Sequence, residues 1–196
     1  MVAGWMRATE AKAMYIRVGL DQWIMVNGNR VGSGQSAQRI ELNTAGLSGC
    51  VAIGMSWGHM ISLAHVYSGC TAATWIPADG SAGYLQALNE AFAGSRALML
   101  KGRPEAVLYW SEGTPNWLPK QLYDWLDARD IQVNEELAPA CRIWLDDEGL
   151  LKWSANLTER PDDVRNYTTS ANAAATIQFY KGLSANAAPA TPPQGE

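Results

Sequence analysis

The stretch from Thr44 to His65 reads TAGLSGCVAIGMSWGHMISLAH and contains both histidines of the chain and one of its three cysteines. Two apolar runs, at 51–55 and 60–66, flank a short segment that contains serine and glycine. This pattern is typical of two strands joined by a tight turn. We therefore predict a β-hairpin with Cys50 just before its first strand and His65 near the end of its second.

The turn of this hairpin decides which residues face each other. If Trp57 and Gly58 form a two-residue loop, the register places Cys50 directly opposite His65. Opposed residues of an antiparallel pair have Cβ atoms roughly 4.5–5.5 Å apart, which is within reach of a thiol–imidazole contact. A three-residue loop would shift the register by one and turn the two side chains to opposite faces of the sheet.

A cysteine beside a histidine has a known chemical use, because the imidazole lowers the thiol pKa and can carry the proton. Gly46 and Gly49 leave the backbone near Cys50 free of side chains, so its N–H groups can bind a developing oxyanion. Thr44, at the start of the same loop, is a candidate for orienting the imidazole. Free cysteines are also common as small buried hydrophobes, so a packing role stays open.

The loop resembles the active-site loop of the cysteine-dependent glutamine deamidases. This superfamily includes the chemoreceptor deamidase CheD, the catalytic domain of cytotoxic necrotizing factor and Burkholderia lethal factor. The two toxins carry Leu-Ser-Gly-Cys, and CheD carries a variant with the serine and glycine exchanged. CheD and the lethal factor also use a threonine six residues before the cysteine. These positions correspond here to Thr44, Leu47, Ser48, Gly49 and Cys50.

A catalytic histidine follows on the next strand of these enzymes, at a spacing that varies within the superfamily. His65 lies fifteen residues after Cys50 and fits that range, whereas His59, at nine residues, looks too close. The resemblance implies that Cys50 attacks a glutamine carboxamide, that His65 carries the proton and that Thr44 orients His65. It also implies that Leu47, Ser48 and Gly49 form the active-site loop, and that backbone N–H groups near Ser48 to Cys50 hold the oxyanion.

The activity that the resemblance implies is deamidation of a protein glutamine to glutamate through a cysteine thioester, with no metal and no organic cofactor. The toxin-like order of the motif implies a bacterial effector, made in the bacterial cytoplasm and acting in the host cytosol. Its target, by analogy, is a small GTPase or a translation factor. The alternatives are a CheD-like deamidase of bacterial receptors, a non-catalytic tryptophan-rich binding module, and a cysteine peptidase or transglutaminase.

Composition limits the classes of partner that the protein can have. A net charge of −4 and a pI near 5.2 argue against nucleic acid or an anionic membrane as the main partner. No apolar run approaches the roughly 20 residues that span a bilayer, and the N-terminus lacks the apolar core of a signal peptide. Three widely spaced cysteines suit neither a disulfide framework nor a metal site. We expect reduced thiols in a cytosol and a monomer that acts on a protein substrate.

The remaining pattern predicts an α/β fold, a single domain in which a mixed β-sheet sandwich has flanking helices. Its order after the hairpin resembles that of CheD. The domain is expected over 1–183, with its core at 39–155 and a disordered tail at 184–196. The other predicted strands are 14–18, 22–26, 39–43, 96–100, 106–110, 131–133, 142–145 and 150–154, and the predicted helices are 81–95 and 116–129.

Two local signals are the strongest of these. Leu118, Leu122, Trp125 and Leu126 recur at helical spacing and predict one buried stripe on the second helix. The Asn27-Gly28-Asn29 segment is a hairpin-turn signal and predicts a return strand that starts at 30 and 31. Nine tryptophans against two phenylalanines are interpreted mainly as core anchors, with a recognition surface as the alternative.

Overall fold

The computed structural model of the protein describes residues 13–20, 22–28, 39–66, 75, 84–96, 104–157, 162–163 and 178–181. The predicted return strand at 30 and 31, most of the predicted strand at 96–100 and the predicted tail at 184–196 lie outside the described residues. The same holds for the proposed domain boundary at 183.

Strands dominate the described residues, and two helices accompany them. The strands are β1 (Ala13–Arg17), β2 (Gln22–Asn27), β3 (Arg39–Ala45), β4 (Val51–Trp57), β5 (Met60–Val66), β6 (Glu105–Trp110), β7 (Gln132–Leu137), β8 (Ala140–Leu145), β9 (Leu151–Ser154), β10 (Asp162–Asp163) and β11 (Gln178–Lys181). The helices are α1 (Tyr84–Arg96) and α2 (Trp117–Asp127). Neither described helix has the length and apolar composition needed to cross a membrane.

The strands form two mixed sheets. The first has the order β10-β1-β3-β8-β9, in which β1 is parallel to both of its neighbours and the other pairs are antiparallel. The second has the order β11-β2-β5-β4-β6-β7 and is antiparallel except for its β6–β7 pair. The parallel pair is joined through α2, since parallel neighbours need a crossover connection. The predicted mixed sheets are therefore confirmed, but the described chain is richer in strands than an alternating α/β pattern implies.

The two central strands of the second sheet, β4 and β5, are buried on both faces. The inner face of this sheet packs against the first sheet through a shared apolar core that includes Leu42 and Ile143 of the first sheet and Ile61 and Leu63 of β5. Its outer face is covered by the apolar sides of α1 and α2. Every residue of β4 and β5 is buried as a result. This explains why both strands appear in the sequence as nearly continuous apolar runs.

The structure corrects the register of the central hairpin. The loop consists of Gly58 and His59, so Trp57 pairs with Met60, and His65 lies opposite Ala52 instead of Cys50. Gly58 has a φ of 55°, and a positive φ at the first loop position is the requirement of a type II′ turn. In the predicted loop this position would fall on a tryptophan, whose Cβ disfavours positive φ. The turn therefore moves by one residue.

The loop moves by one residue along the chain and still contains two residues. Each residue of β4 therefore pairs with a residue two positions further along β5 than predicted. A change of two keeps every side chain on its predicted face of the sheet, since side chains alternate with a period of two. Cys50, which precedes β4, consequently lies diagonal to His65 on the same face. Diagonal neighbours are about 7–8 Å apart along the backbone and somewhat closer at Cβ.

The predicted buried stripe of α2 is confirmed, while the boundaries of two elements differ from the prediction. Helix α2 spans Trp117–Asp127, where a helix over 116–129 was expected. Strand β7 continues to Leu137, past the predicted end at 133, and is mostly half-buried or exposed. The added part of the strand is mostly polar, so no apolar pattern in the sequence predicts it. Backbone pairing with β6 holds it in place.

We expect Gly54→Ala to destabilise the fold, because the neighbouring side chains leave no room for a Cβ at this glycine. A Cβ there would lie 2.9 Å from Cγ2 of Ile143 and 3.0 Å from Cγ1 of Val107. Overpacking of this kind costs about 1–3 kcal/mol in the free energy of unfolding, which urea denaturation measures. Gly113→Ala is the matched control, since its Cβ meets nothing closer than 3.7 Å and should change stability by under about 0.5 kcal/mol.

Candidate active site

Thr44 and His65 meet between the two sheets. Thr44 lies on β3 and His65 on β5, and both are almost fully buried. Thr44 Oγ1 lies 2.8 Å from Nδ1 of His65 and donates a hydrogen bond of 2.8 Å to the carbonyl oxygen of Val18. Val18 is fixed in turn, because its N–H donates to the carbonyl oxygen of Asn43 at 2.7 Å.

These contacts settle which nitrogen of His65 carries the proton. A threonine hydroxyl has one hydrogen, and here it is directed at Val18. Thr44 Oγ1 must therefore accept a hydrogen bond from Nδ1–H of His65. The neutral imidazole then has a free lone pair on Nε2, which is the form a general base requires. Nε2 is buried and has no hydrogen-bond partner among the described residues.

Burial also fixes the charge of His65. It lowers the pKa of the imidazole from 6.5 to about 4, because the charged form loses its hydration inside the protein. The imidazole is therefore neutral at neutral pH. This state suits a base that takes a proton during the attack of a nucleophile, in contrast to a preformed thiolate–imidazolium ion pair.

The loop that carries Cys50 has the geometry of a type II turn. The N–H of Cys50 donates to the carbonyl oxygen of Leu47 at 3.1 Å, and Gly49 has a φ of 86°. A type II turn requires a positive φ at its third position, which is why a glycine stands directly before the cysteine. Leu47 is fully buried in the core between the sheets and anchors the turn, and its N–H donates to the carbonyl oxygen of Pro139.

This turn determines which N–H groups remain for an oxyanion. The N–H of Cys50 already has an acceptor, so it does not take the role that the sequence suggested for it. The N–H groups of Ser48 and Gly49 have no protein acceptor among the described residues. An oxyanion site at this loop would therefore use Ser48 and Gly49, of which Ser48 is exposed and Gly49 is buried.

Two side-chain hydroxyls in the segment after β6 donate hydrogen bonds to the Cys50 loop and hold it in place. Ser111 Oγ donates to the carbonyl oxygen of Leu47, and Thr114 Oγ1 donates to the carbonyl oxygen of Cys50, each at 3.0 Å. Both bonds join residues that are 64 positions apart in the chain. Sequence reasoning missed this clamp, because a serine and a threonine in a polar turn carry no local sign of a distant partner.

The structure thus brings part of the predicted site together. Thr44 and His65 share a hydrogen bond, and Cys50 lies directly before β4 on the same face of the second sheet as His65. His59 lies in the turn at the other end of the hairpin and takes no part. Within the described ranges, no three His, Cys, Asp or Glu side chains are placed to hold a metal ion.

Comparison of the chain with models of known protein families gave no match, and comparison with the curated proteins gave none either.

We expect Thr44→Val to lower stability and to free the imidazole, because valine keeps the shape of threonine but removes the acceptor. The unpaired Nδ1–H of His65 costs about 1–3 kcal/mol in the free energy of unfolding. Proton–nitrogen NMR of the ring should show the Nδ1–H tautomer in the native protein and lose it in Thr44→Val. Thr44→Ser retains the hydroxyl and is the control. An unchanged tautomer in Thr44→Val would contradict the assigned hydrogen bond.

We expect acid to destabilise the protein through His65. Its folded pKa of about 4 lies below the unfolded value of 6.5, so between these values only the unfolded chain binds the proton. Neutral His65 stabilises the folded protein fully above pH 6.5, and this stabilisation is lost as the pH falls towards 4. At pH 5 the loss amounts to about 2 kcal/mol in the free energy of unfolding. Urea denaturation at pH 7.5 and 5 should show this loss in the native protein and in His59→Gln. A His65→Gln variant should lack it.

Proposed function

We propose that the protein is a cysteine-dependent deamidase that converts a glutamine of a target protein into glutamate. One observation carries the proposal. The Thr44–His65 hydrogen bond fixes a neutral imidazole with its Nε2 lone pair free, on the sheet face that also carries Cys50. Nucleophile, base and orienting group are the three parts of a thiol active site.

In the first half of the reaction, Cys50 Sγ attacks the carbonyl carbon of the substrate carboxamide. His65 Nε2 takes the thiol proton, and the N–H groups of Ser48 and Gly49 hold the oxyanion. The tetrahedral intermediate collapses with cleavage of the C–N bond. His65 gives its proton to the departing nitrogen, so that ammonia leaves and a thioester forms on Cys50.

In the second half, water attacks the thioester carbon and gives a proton to His65 Nε2. The C–S bond breaks, and the proton returns to the sulfur of Cys50. The target residue leaves as a carboxylic acid, which ionises at neutral pH. One neutral side chain of the target thereby becomes negatively charged, and this charge change is the output of the enzyme.

Burial of the site favours a side chain over a peptide bond as the reacting group. Cys50 is 4% exposed and His65 is 3% exposed. A main-chain amide would need a cleft that admits both flanking residues, as in a peptidase. A glutamine carboxamide stands at the end of a slender, flexible stem and can enter through a narrow opening. This geometry supports deamidation over peptide cleavage by the same thiol chemistry.

The order of elements supports a CheD-like fold. After the central hairpin the described chain runs through α1, β6, α2 and β7, and then into the β8–β9 hairpin. Together with the toxin-like Leu-Ser-Gly-Cys motif, this order favours a bacterial effector that acts in a host cytosol on a GTPase or a translation factor. A CheD-like deamidase of bacterial receptors is the alternative within the superfamily.

The tryptophans argue for packing more than for recognition. Trp23, Trp57, Trp75 and Trp125 are buried in the core between the second sheet and the helices. Their rings pack edge to face or tilted, as in the Trp23–Trp125 pair with centroids 6.4 Å apart. These four side chains therefore supply no recognition surface, which weakens the alternative of a tryptophan-lined binding module.

We expect host and bacterial lysates treated with the protein to contain one glutamine converted to glutamate. Peptide mass spectrometry detects the conversion as a gain of about one mass unit, since NH₂ is replaced by OH. Cys50→Ser removes the thiolate and should abolish the gain. His59→Gln is the matched control, because His59 lies in the turn at the end of the hairpin away from Cys50. No gain with the folded native protein in any lysate would favour the binding-module alternative.

A further inference from the structure

A second turn lies beside the Cys50 loop, in the segment after β6. The N–H of Thr114 closes it by donating to the carbonyl oxygen of Ser111 at 2.9 Å, just as the N–H of Cys50 closes the loop onto Leu47. The first residues of the two turns, Ser111 and Leu47, share a hydrogen bond of 3.0 Å. The last residues, Thr114 and Cys50, share another of 3.0 Å. The two turns therefore run side by side in the same direction.

This alignment places two glycines opposite each other, because the third residue of one turn is Gly49 and that of the other is Gly113. A Cβ added to Gly113 would lie 3.7 Å from the amide nitrogen of Gly49 and 3.8 Å from Oγ of Ser48. Of the peptide unit between Ser48 and Gly49, the nitrogen is the atom nearest to that Cβ. The bare side of Gly113 thus faces an N–H that has no acceptor among the described residues.

The two glycines differ in what the backbone demands of them. Gly49 has a φ of 86°, which its turn requires, whereas Gly113 is not among the glycines with a positive φ. A turn without a positive φ accepts most residues at its third position. A Cβ at 113 would also meet no described atom closer than 3.7 Å. Neither conformation nor packing within the described residues requires a glycine at 113, so the open space in front of Gly49 is its distinctive consequence.

We infer that Gly113 is a specificity-determining residue of the oxyanion site, because it leaves open the space in which the carbonyl oxygen of the substrate binds the N–H of Gly49. The inference rests on the proposed deamidase function, and it adds a second wall that the motif around Cys50 does not contain. Ser48 and Gly113 are both exposed, whereas Gly49 is buried between them. The carbonyl oxygen enters between the two exposed residues.

The distances explain why a side chain at 113 would interfere. An oxygen that accepts from the N–H of Gly49 lies about 2.9 Å from the nitrogen. A methyl group 3.7 Å from the same nitrogen crowds that oxygen, and a longer side chain covers the N–H. Substitution at 113 should therefore weaken binding of the oxyanion without moving the sulfur of Cys50.

Two reactions at the same sulfur separate these effects without knowledge of the protein substrate. With p-nitrophenyl acetate, Cys50 Sγ bonds to the acyl carbon, the ester C–O bond breaks, and the carbonyl oxygen passes through an oxyanion. With iodoacetamide, Sγ bonds to the methylene carbon and iodide leaves, so no oxyanion forms. In both reactions the thiol proton goes to His65. The ratio of the two rate constants therefore reports the oxyanion site alone.

We expect Gly113→Leu to slow the Cys50-dependent burst of p-nitrophenol by about 100-fold, which is the effect of losing one oxyanion donor. Gly113→Ala should slow it by a smaller factor. Both variants should alkylate Cys50 at the native rate, which peptide mass spectrometry measures. Ala128→Leu is the matched control, because it adds an apolar side chain at the exposed end of α2 and should change neither reaction.

The outcomes for the two proposals differ. A burst that is the same in Cys50→Ser would overturn the deamidase function, and the role of Gly113 with it. A Cys50-dependent burst that keeps its native rate in both Gly113 variants would overturn only the role of Gly113. An equal fall of acylation and alkylation would also overturn it, since the added side chain would then obstruct the sulfur. Gly113→Ala decides alone if urea denaturation shows that Gly113→Leu does not fold.

Discussion

The hydroxyl of Thr44 is the interaction on which the site depends. It donates to the carbonyl oxygen of Val18 at the end of β1 and accepts from the imidazole of His65 on β5, so one oxygen joins segments of both sheets. An apolar side chain at this position would leave a buried carbonyl and a buried N–H without partners. The hydroxyl therefore satisfies the backbone and selects the tautomer of His65 at the same time.

Burial of β4 and β5 on both faces explains why the hydrogen bond between Thr44 and His65 has one defined geometry. β4 and β5 lie between the first sheet and the two helices, and neither strand has an exposed residue. The Gly54 position, where Ile143 and Val107 leave no room for a Cβ, shows how closely the sheets approach. Close packing of this kind limits the side-chain orientations that His65 can adopt.

Burial also sets the chemistry that the site can perform. It keeps His65 neutral at neutral pH, so proton transfer must accompany nucleophilic attack. It leaves Nε2 of His65 without a hydrogen-bond partner among the described residues, although polar groups inside a core are normally paired. A site in which this nitrogen takes a proton from a thiol gives it a use.

Sequence determined the elements whose signals are local. The apolar runs fixed the two central strands, the 3.6-residue spacing fixed the buried stripe of α2, and the motif around Cys50 singled out Thr44 and His65. Only the tertiary structure decided the register, because the turn follows the residue that tolerates a positive φ, which is Gly58. Only the tertiary structure gives the geometry of the Thr44–His65 contact, which spans 21 positions, and only it places Ser111 and Thr114 on the Cys50 loop. Such contacts depend on how two sheets stack, and no residue pattern within one strand encodes which distant strand will face it.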